Sequence, residues 1–163
     1  MDRLWAPWRL NYITGLQQKN KGCIFCNIFR EKKDKKNYIF CRSEHSFAVL
    51  NIYPYNNGHV LILPNRHVKD ISDLKKSERE DLFDLLDNVK RLLKATLKPQ
   101  GFNIGMNIGR ISGGGIPGHV HVHVVPRWRG DVNFMPVISS TRVISQSLTA
   151  LHDKLTRALR KIR

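Results

Sequence analysis

The sequence predicts an α+β domain, an antiparallel sheet with helices packed on it, from three observations. His119, His121 and His123 alternate with Val120, Val122 and Val124, and a two-residue period is that of a β-strand. Leu82, Leu85, Leu86, Val89, Leu92, Leu93 and Leu97 keep the spacing of one helix face. The other apolar runs are short and bounded by turn residues, in an order suited to hairpins.

A chain of 163 residues, 41% hydrophobic, is one ordinary domain with a real core. Its apolar runs, such as Val60–Leu63, are far too short to span a bilayer. The first residues, with Trp5, Pro7 and Trp8 among charges, are no secretion signal. Three cysteines, two of them as Cys23-x-x-Cys26, suit a reducing compartment, and the cytoplasm is expected. The net charge of +15 favours polyanions, whether nucleotides, phosphate or nucleic acid. Much of it sits in Arg30–Lys36 and Lys154–Arg163, where a solvated basic surface explains it equally well.

In chain order, residues 1–22 form an arm whose mixed aromatics and arginines suit packing on the body or a partner subunit. Cys23–Phe29 suggests a short helix, and Arg30–Lys36 an exposed loop. Strands follow at Tyr38–Cys41 and Phe47–Ile52, then the turn Pro54-Tyr-Asn-Asn-Gly58 and a third strand, His59–Pro64. Ser77-x-x-Glu80 fits a capping box that opens the leucine helix, which Pro99 and Gly101 end. Phe102–Ile108 is the fourth strand and 119–125 the fifth, stopped by Pro126. Ile144, Leu148, Leu151, Leu155, Leu159 and Ile162 stripe a C-terminal helix, placed at 141–163. No repeat or second core appears in this pattern.

Histidines two apart on one strand face stand about 6.5–7 Å from each other, within reach of one small anion, metal or nucleotide. Gly113–Gly115 before them let backbone N–H groups approach a ligand. A zinc site or a polar strand face are the plainer explanations, and neither calls for a glycine-rich approach.

His119-Val-His121-Val-His123-Val-Val, with Asn51 and Gly58-His59-Val-Leu-Ile upstream, resembles the histidine-triad (HIT) superfamily of nucleotide hydrolases and transferases. Arg3-Leu-Trp-Ala-Pro-Trp-Arg and Pro126-Arg-Trp-Arg-Gly-Asp-Val-Asn-Phe-Met135 resemble the fragile-histidine-triad-like branch with bacterial dinucleoside polyphosphate phosphorylases and hydrolases. The likeness runs over nearly the whole chain. It implies a single HIT domain over 1–163, a five-stranded antiparallel sheet with packed helices, and a homodimer.

It also implies an enzyme. His121 would be the nucleophile, since a neutral imidazole attacks phosphorus and forms a phosphohistidine. The backbone carbonyl of His119 would orient it, His59 would support charge relay, and His123 would bond the α-phosphate or protonate the leaving oxygen. Asn51 would hold the ribose hydroxyls, while Asn107, Gly114 and Gly115 would cradle phosphate. Many relatives carry Gln in place of Asn107 and Gln or Ser in place of Gly115. The shorter side chains enlarge the anion pocket and favour inorganic phosphate over water as second nucleophile.

Cys23 and Cys26 have structural-zinc spacing, and the resemblance adds His67 and His119 as third and fourth ligands. No organic cofactor is implied. The function expected is nucleotidyl transfer from dinucleoside polyphosphates, such as diadenosine tetraphosphate, to phosphate or water. The alternatives are an adenosine phosphoramidate or adenylylsulfate hydrolase or phosphorylase, and a non-catalytic basic nucleotide- or nucleic-acid-binding module.

Overall fold

The computed structural model describes residues 22–109, 111–112, 116, 118–131 and 144–162. The arm at 1–21, Gly113–Gly115 and residues 141–143 lie outside the described residues. Helix α1 spans Ile24–Glu31, β1 Ile39–Arg42, β2 Ser46–Leu50, β3 Val60–Pro64, α2 Lys76–Leu97, β4 Gly101–Met106, β5 Val122–Arg127 and α3 Leu148–Ile162. The five strands form one sheet in the order β1-β2-β3-β5-β4, and every pairing is antiparallel. The predicted class and strand number therefore hold.

Alternation sorts the strands' side chains between two layers. Ala48, Leu50, Val60, Ile62, Val120, Val122 and Val124 pack with Leu82, Leu85, Val89, Leu92 and Leu93 of α2 and with Leu151 and Leu155 of α3. Phe47, Val49, Leu61 and Leu63 point the other way, against Phe25 of α1. The valines of the triad thus face α2 and α3, and the histidines face the layer of α1.

Several predicted boundaries move, each for a local reason. Tyr38 is left out of β1 because its φ is +57, a left-handed conformation no strand allows. Arg30 and Glu31 belong to α1, so the basic loop starts at Lys32, whose φ of +51 ends the helix. Pro126 lies inside β5, opposite Phe102, instead of stopping the strand. Its pairing with β3 has already ended at Val124. The Pro126 carbonyl accepts from Asn56 Nδ2 at 3.1 Å, so its missing N–H faces past the end of β3, where no strand needs it.

The regular ladder begins only at Val122, not at His119. Before that point Val120 N–H donates to Val68 O at 2.8 Å, outside the sheet. Ile144 precedes α3, which starts at Leu148.

The capping residue of α2 is Glu78, not Glu80. Glu78 Oε2 accepts the N–H of Lys75, the residue before the helix, at 2.8 Å. The same carboxylate takes a two-pronged bond from Arg66, at 2.8 and 2.7 Å, while Glu80 lies exposed near Lys76. The Arg66 hydrogen bonds, reinforced by the Lys75 N–H, hold the Glu78 carboxyl down to about 2 against the opposing effect of burial. Arg66→Ala takes the two-pronged partner from that buried carboxylate and is expected to lower stability. A depressed carboxyl contributes stability above its ordinary value of 4.5 and loses it as pH falls toward about 2. Urea midpoints of the two proteins should therefore differ at neutral pH and converge in that acid window. A constant gap would refute the linkage.

No helix among the described residues is long and apolar enough to cross a membrane.

Candidate active site

The site lies on the α1 face of the sheet, where β3 and β5 run side by side. Register brings its members together: Leu61 is opposite His123, which makes His59 a diagonal neighbour of His123. His59, His119 and His121 are buried, and His123 is partly open.

The hydrogen bonds settle which nitrogen carries each proton. His121 Nδ1 is 2.8 Å from the carbonyl oxygen of His119, which can only accept. Nδ1 is therefore the N–H, and Nε2 keeps a lone pair. Burial pushes the His121 pKa down, against the bond to His119, so the ring is neutral at pH 7. The arrangement gives a buried, oriented imidazole with a free electron pair.

The pattern on His123 is opposite, and a backbone group decides it. Tyr55 N–H donates to His59 Nδ1 at 3.0 Å, so that nitrogen is an acceptor. Asn51 Oδ1 accepts Tyr53 N–H at 2.9 Å, which turns Asn51 Nδ2 toward the same His59 nitrogen at 3.3 Å. With Nδ1 accepting, His59 carries its proton on Nε2, 2.9 Å from His123 Nδ1. His123 Nδ1 must accept, which leaves an N–H on His123 Nε2. Asn107 Nδ2 is 3.4 Å from that nitrogen, and the side-chain amide turned over offers its oxygen to the N–H instead. The rings of His121 and His123 are 4.8 Å apart, so a lone pair and an N–H can meet one phosphoryl group.

His59 thus joins His123 through the 2.9 Å bond. Asn51 is buried, with its carbonyl oxygen on Tyr53 and an amide hydrogen toward His59. Gly114 and Gly115 lie outside the described residues.

A second cluster adjoins the first. The ligand atoms of Cys23, Cys26, His67 and His119 all lie within 4.8 Å of one another. Cys23 Sγ is 3.4 Å and Cys26 Sγ 3.6 Å from His119 Nδ1, and Cys26 Sγ is 3.4 Å from His67 Nδ1. Bonds of about 2.0–2.3 Å to a tetrahedral zinc put its ligands about 3.5 Å apart, so the donors fit that ion. His119 Nε2 donates to Pro64 O at 2.9 Å, which frees Nδ1 to ligate. Burial, with His67 and His121 nearby, holds the His119 pKa down to about 4 despite the Pro64 bond.

Two aromatic residues of the site carry no chemistry of their own and escaped the sequence reading. Phe25, between the two cysteines, packs 5.2 Å from the His121 ring and 5.8 Å from His119. Tyr55, in the turn before His59, lies against His59 and His123. Their neighbours in sequence were the only signal.

Comparison with known proteins follows the same lines. A family model described as the HIT domain matches residues 32–130. The chain belongs to the HIT-domain family. Its HIT match includes His67 and the triad but begins after Cys23 and Cys26. Among HIT relatives, the AP-4-A phosphorylase of Mycobacterium tuberculosis (strain H37Rv) is 38% identical over 154 residues, 91% of this chain and 79% of the relative. The asymmetrical bis(5'-nucleosyl)-tetraphosphatase of Schizosaccharomyces pombe is 38% identical over 93 residues, 57% of this chain and 50% of the relative. A Zn-bound histidine triad family protein from Mycobacterium smegmatis has a similar fold, with TM-score 0.70 and 25% identity over 86% of this chain and 95% of that one.

Proposed function

We propose that this HIT protein is an enzyme that transfers a nucleotidyl group from a dinucleoside polyphosphate to phosphate or water. The observation that carries the reading is the opposed protonation of two neighbouring imidazoles, a lone pair on His121 and an N–H on His123. His121 Nε2 attacks the α-phosphorus, a P–N bond forms, and the bond to the bridging oxygen breaks. His123 Nε2–H bonds the departing or non-bridging oxygen while His59, held by Tyr55 and Asn51, feeds the other side of its ring. The leaving group departs as a nucleoside polyphosphate. A second nucleophile then displaces His121 and restores the neutral ring.

In this reading Asn107, with Gly114 and Gly115, contacts phosphate oxygens, and the second Asn51 amide hydrogen is offered to the ribose. His119 serves twice, through its carbonyl to His121 and through Nδ1 to a metal with Cys23, Cys26 and His67. Zinc there would be a structural tie between distant segments. Cys23, Cys26 and Cys41 form no disulfide, which suits the cytoplasm.

Inorganic phosphate is the proposed second nucleophile. The phosphorylase from Mycobacterium tuberculosis, similar over most of both chains, supports it, as do the short side chain of Asn107 and the run Gly113–Gly115 in the sequence. Diadenosine tetraphosphate incubated with labelled phosphate is expected to give labelled adenosine diphosphate. Unlabelled adenosine monophosphate at every phosphate concentration would make the enzyme a hydrolase. Cleavage of phosphoramidates or adenylylsulfate with much higher specificity constants would move the substrate class instead.

A homodimer is the proposed assembly. β4 is a sheet edge, and Ile104 on it is 45% exposed, while Phe83 of α2 is 58% exposed. A second copy pairing along β4 would cover apolar surface of this kind. Light scattering reads the mass directly, and a value near the 18.9 kDa of one chain excludes the dimer.

A further inference from the structure

The turn Pro54–Gly58 reads in the sequence as a simple chain reversal, yet the structure ties it firmly to the site. Asn57 N–H donates to Asn56 Oδ1 at 2.9 Å, and His59 N–H to Asn56 O at 3.2 Å. Asn56 Nδ2 bonds Pro126 O at 3.1 Å and Asp131 Oδ2 at 2.8 Å. Asp131 is gripped in turn by Arg127, at 2.6 and 2.9 Å. Gly58 has φ +76, and a Cβ there would sit 2.6 Å from Leu97 Cδ1 and 3.1 Å from Pro126 Cγ. Only glycine fits. Asn56 thus fastens the end of the turn to β5 and to Asp131, and Gly58 lets the chain close against Leu97 and Pro126.

Tyr55 is the residue this turn presents. Its N–H fixes the His59 tautomer at 3.0 Å. Its ring lies 4.6 Å from His59 and, at 5.7 Å and 9° from coplanar orientation, almost parallel to His123. The bond at Nδ1 and the longer contact of Nε2 with Asn107 still leave the imidazole plane room to turn, because χ2 of histidine has a broad well. A flat ring stacked on its face fixes it. The same ring lies against both partners of the 2.9 Å bond between His59 and His123. Water admitted there would offer both donors and acceptors, and would let His123 take the other tautomer. That tautomer turns a lone pair, not an N–H, toward an incoming anion.

We propose that Tyr55 is a positioning residue for His123: its stacked ring and the rigid turn beneath it keep the His123 Nε2–H aimed at the phosphoryl group. The proposal rests on the catalytic reading of the site given above.

The test compares Tyr55→Phe, Tyr55→Leu and Tyr55→Ala by steady-state kinetics on diadenosine tetraphosphate and by ring ¹⁵N NMR of His123. Tyr55→Phe keeps the flat face and should stay within about 3-fold of wild type. Tyr55→Ala should lose about 10- to 100-fold in kcat with KM changed less than about 3-fold, because only the orientation of a proton donor is lost. Tyr55→Leu keeps bulk without a flat face, should fall between them, and carries the test if the alanine variant fails to fold. The NMR signature should be a single Nε2–H tautomer of His123 in the wild type and in Tyr55→Phe. Tyr55→Leu and Tyr55→Ala should show a mixture. Retention of kcat without the ring overturns the proposal, as does a lowered kcat with an unchanged single tautomer. If the wild type fails to cleave the substrate, the catalytic reading fails, while the tautomer measurement still decides what Tyr55 does.

Discussion

His121→Ala is expected to abolish turnover, lowering kcat by about four orders of magnitude or more while leaving substrate affinity within a few-fold of wild type. In the proposed route His121 Nε2 makes the covalent bond to phosphorus. The other groups orient, donate or exclude water. His123 and His59 still meet each other at 2.9 Å in the variant, since neither depends on the His121 ring for that bond. The loss should therefore fall on kcat. Folding should survive, because among the described residues the ring bonds the carbonyl of His119, two residues before it, and packs on Phe25 and His123. Rapid quenching of the wild type with labelled substrate should trap an acid-labile, alkali-stable phosphohistidine that the variant lacks. Burial lowers the His121 pKa, so the acid limb of kcat/KM should fall below the ordinary histidine value of 6.5. Turnover in His121→Ala within a few-fold of wild type would remove the covalent route.

Much of this architecture was legible because two periods dominate the chain. The leucines of α2 and the valines of β5 each have one buried side, and period alone assigns that side. Boundaries were less legible, for reasons that periodicity does not carry. Tyr38 looks like a strand residue by composition, and only its left-handed backbone excludes it. Pro126 looks like a terminator, but β5 outruns β3 by enough that its missing N–H has no partner to disappoint. Glu80 sits at the right spacing from a serine, yet Glu78 lies beside Arg66, and that neighbour comes from across a loop.

The candidate site divides along the same line. Which residues take part could be read from residue type and resemblance. Which partner each takes depends on sheet register. His59 meets His123 because Leu61 pairs with His123, a fact no single strand contains. The tautomers depend further on a backbone N–H at Tyr55, a position whose side chain gave no chemical cue.

Loss of the proposed metal site at Cys23, Cys26, His67 and His119 is the second large effect expected. Freshly prepared protein should carry one zinc per chain, and Cys23→Ser with Cys26→Ser should lose it. The donors come from the start of α1, from the loop after β3 and from the approach to β5, positions 41 and 93 to 96 residues apart in sequence. Bridging segments so far apart removes chain entropy from the unfolded state much as a cross-link does, which is worth about 3 kcal/mol and about 6–12 °C in Tm. Without a cation, burial and the neighbouring Cys23 thiol push the Cys26 pKa up, so the Cys26 thiol stays protonated and supplies no tie of its own. Metal binding must then release protons, and affinity should rise with pH. Chelation should lower the Tm of the wild type to that of the double variant and leave the double variant unmoved. It should also loosen Phe25, which sits between the cysteines and against His121, so that amide exchange in α1 quickens. Metal analysis that finds no zinc in unchelated protein, or equal chelator shifts in both proteins, would count against the cluster as a metal site.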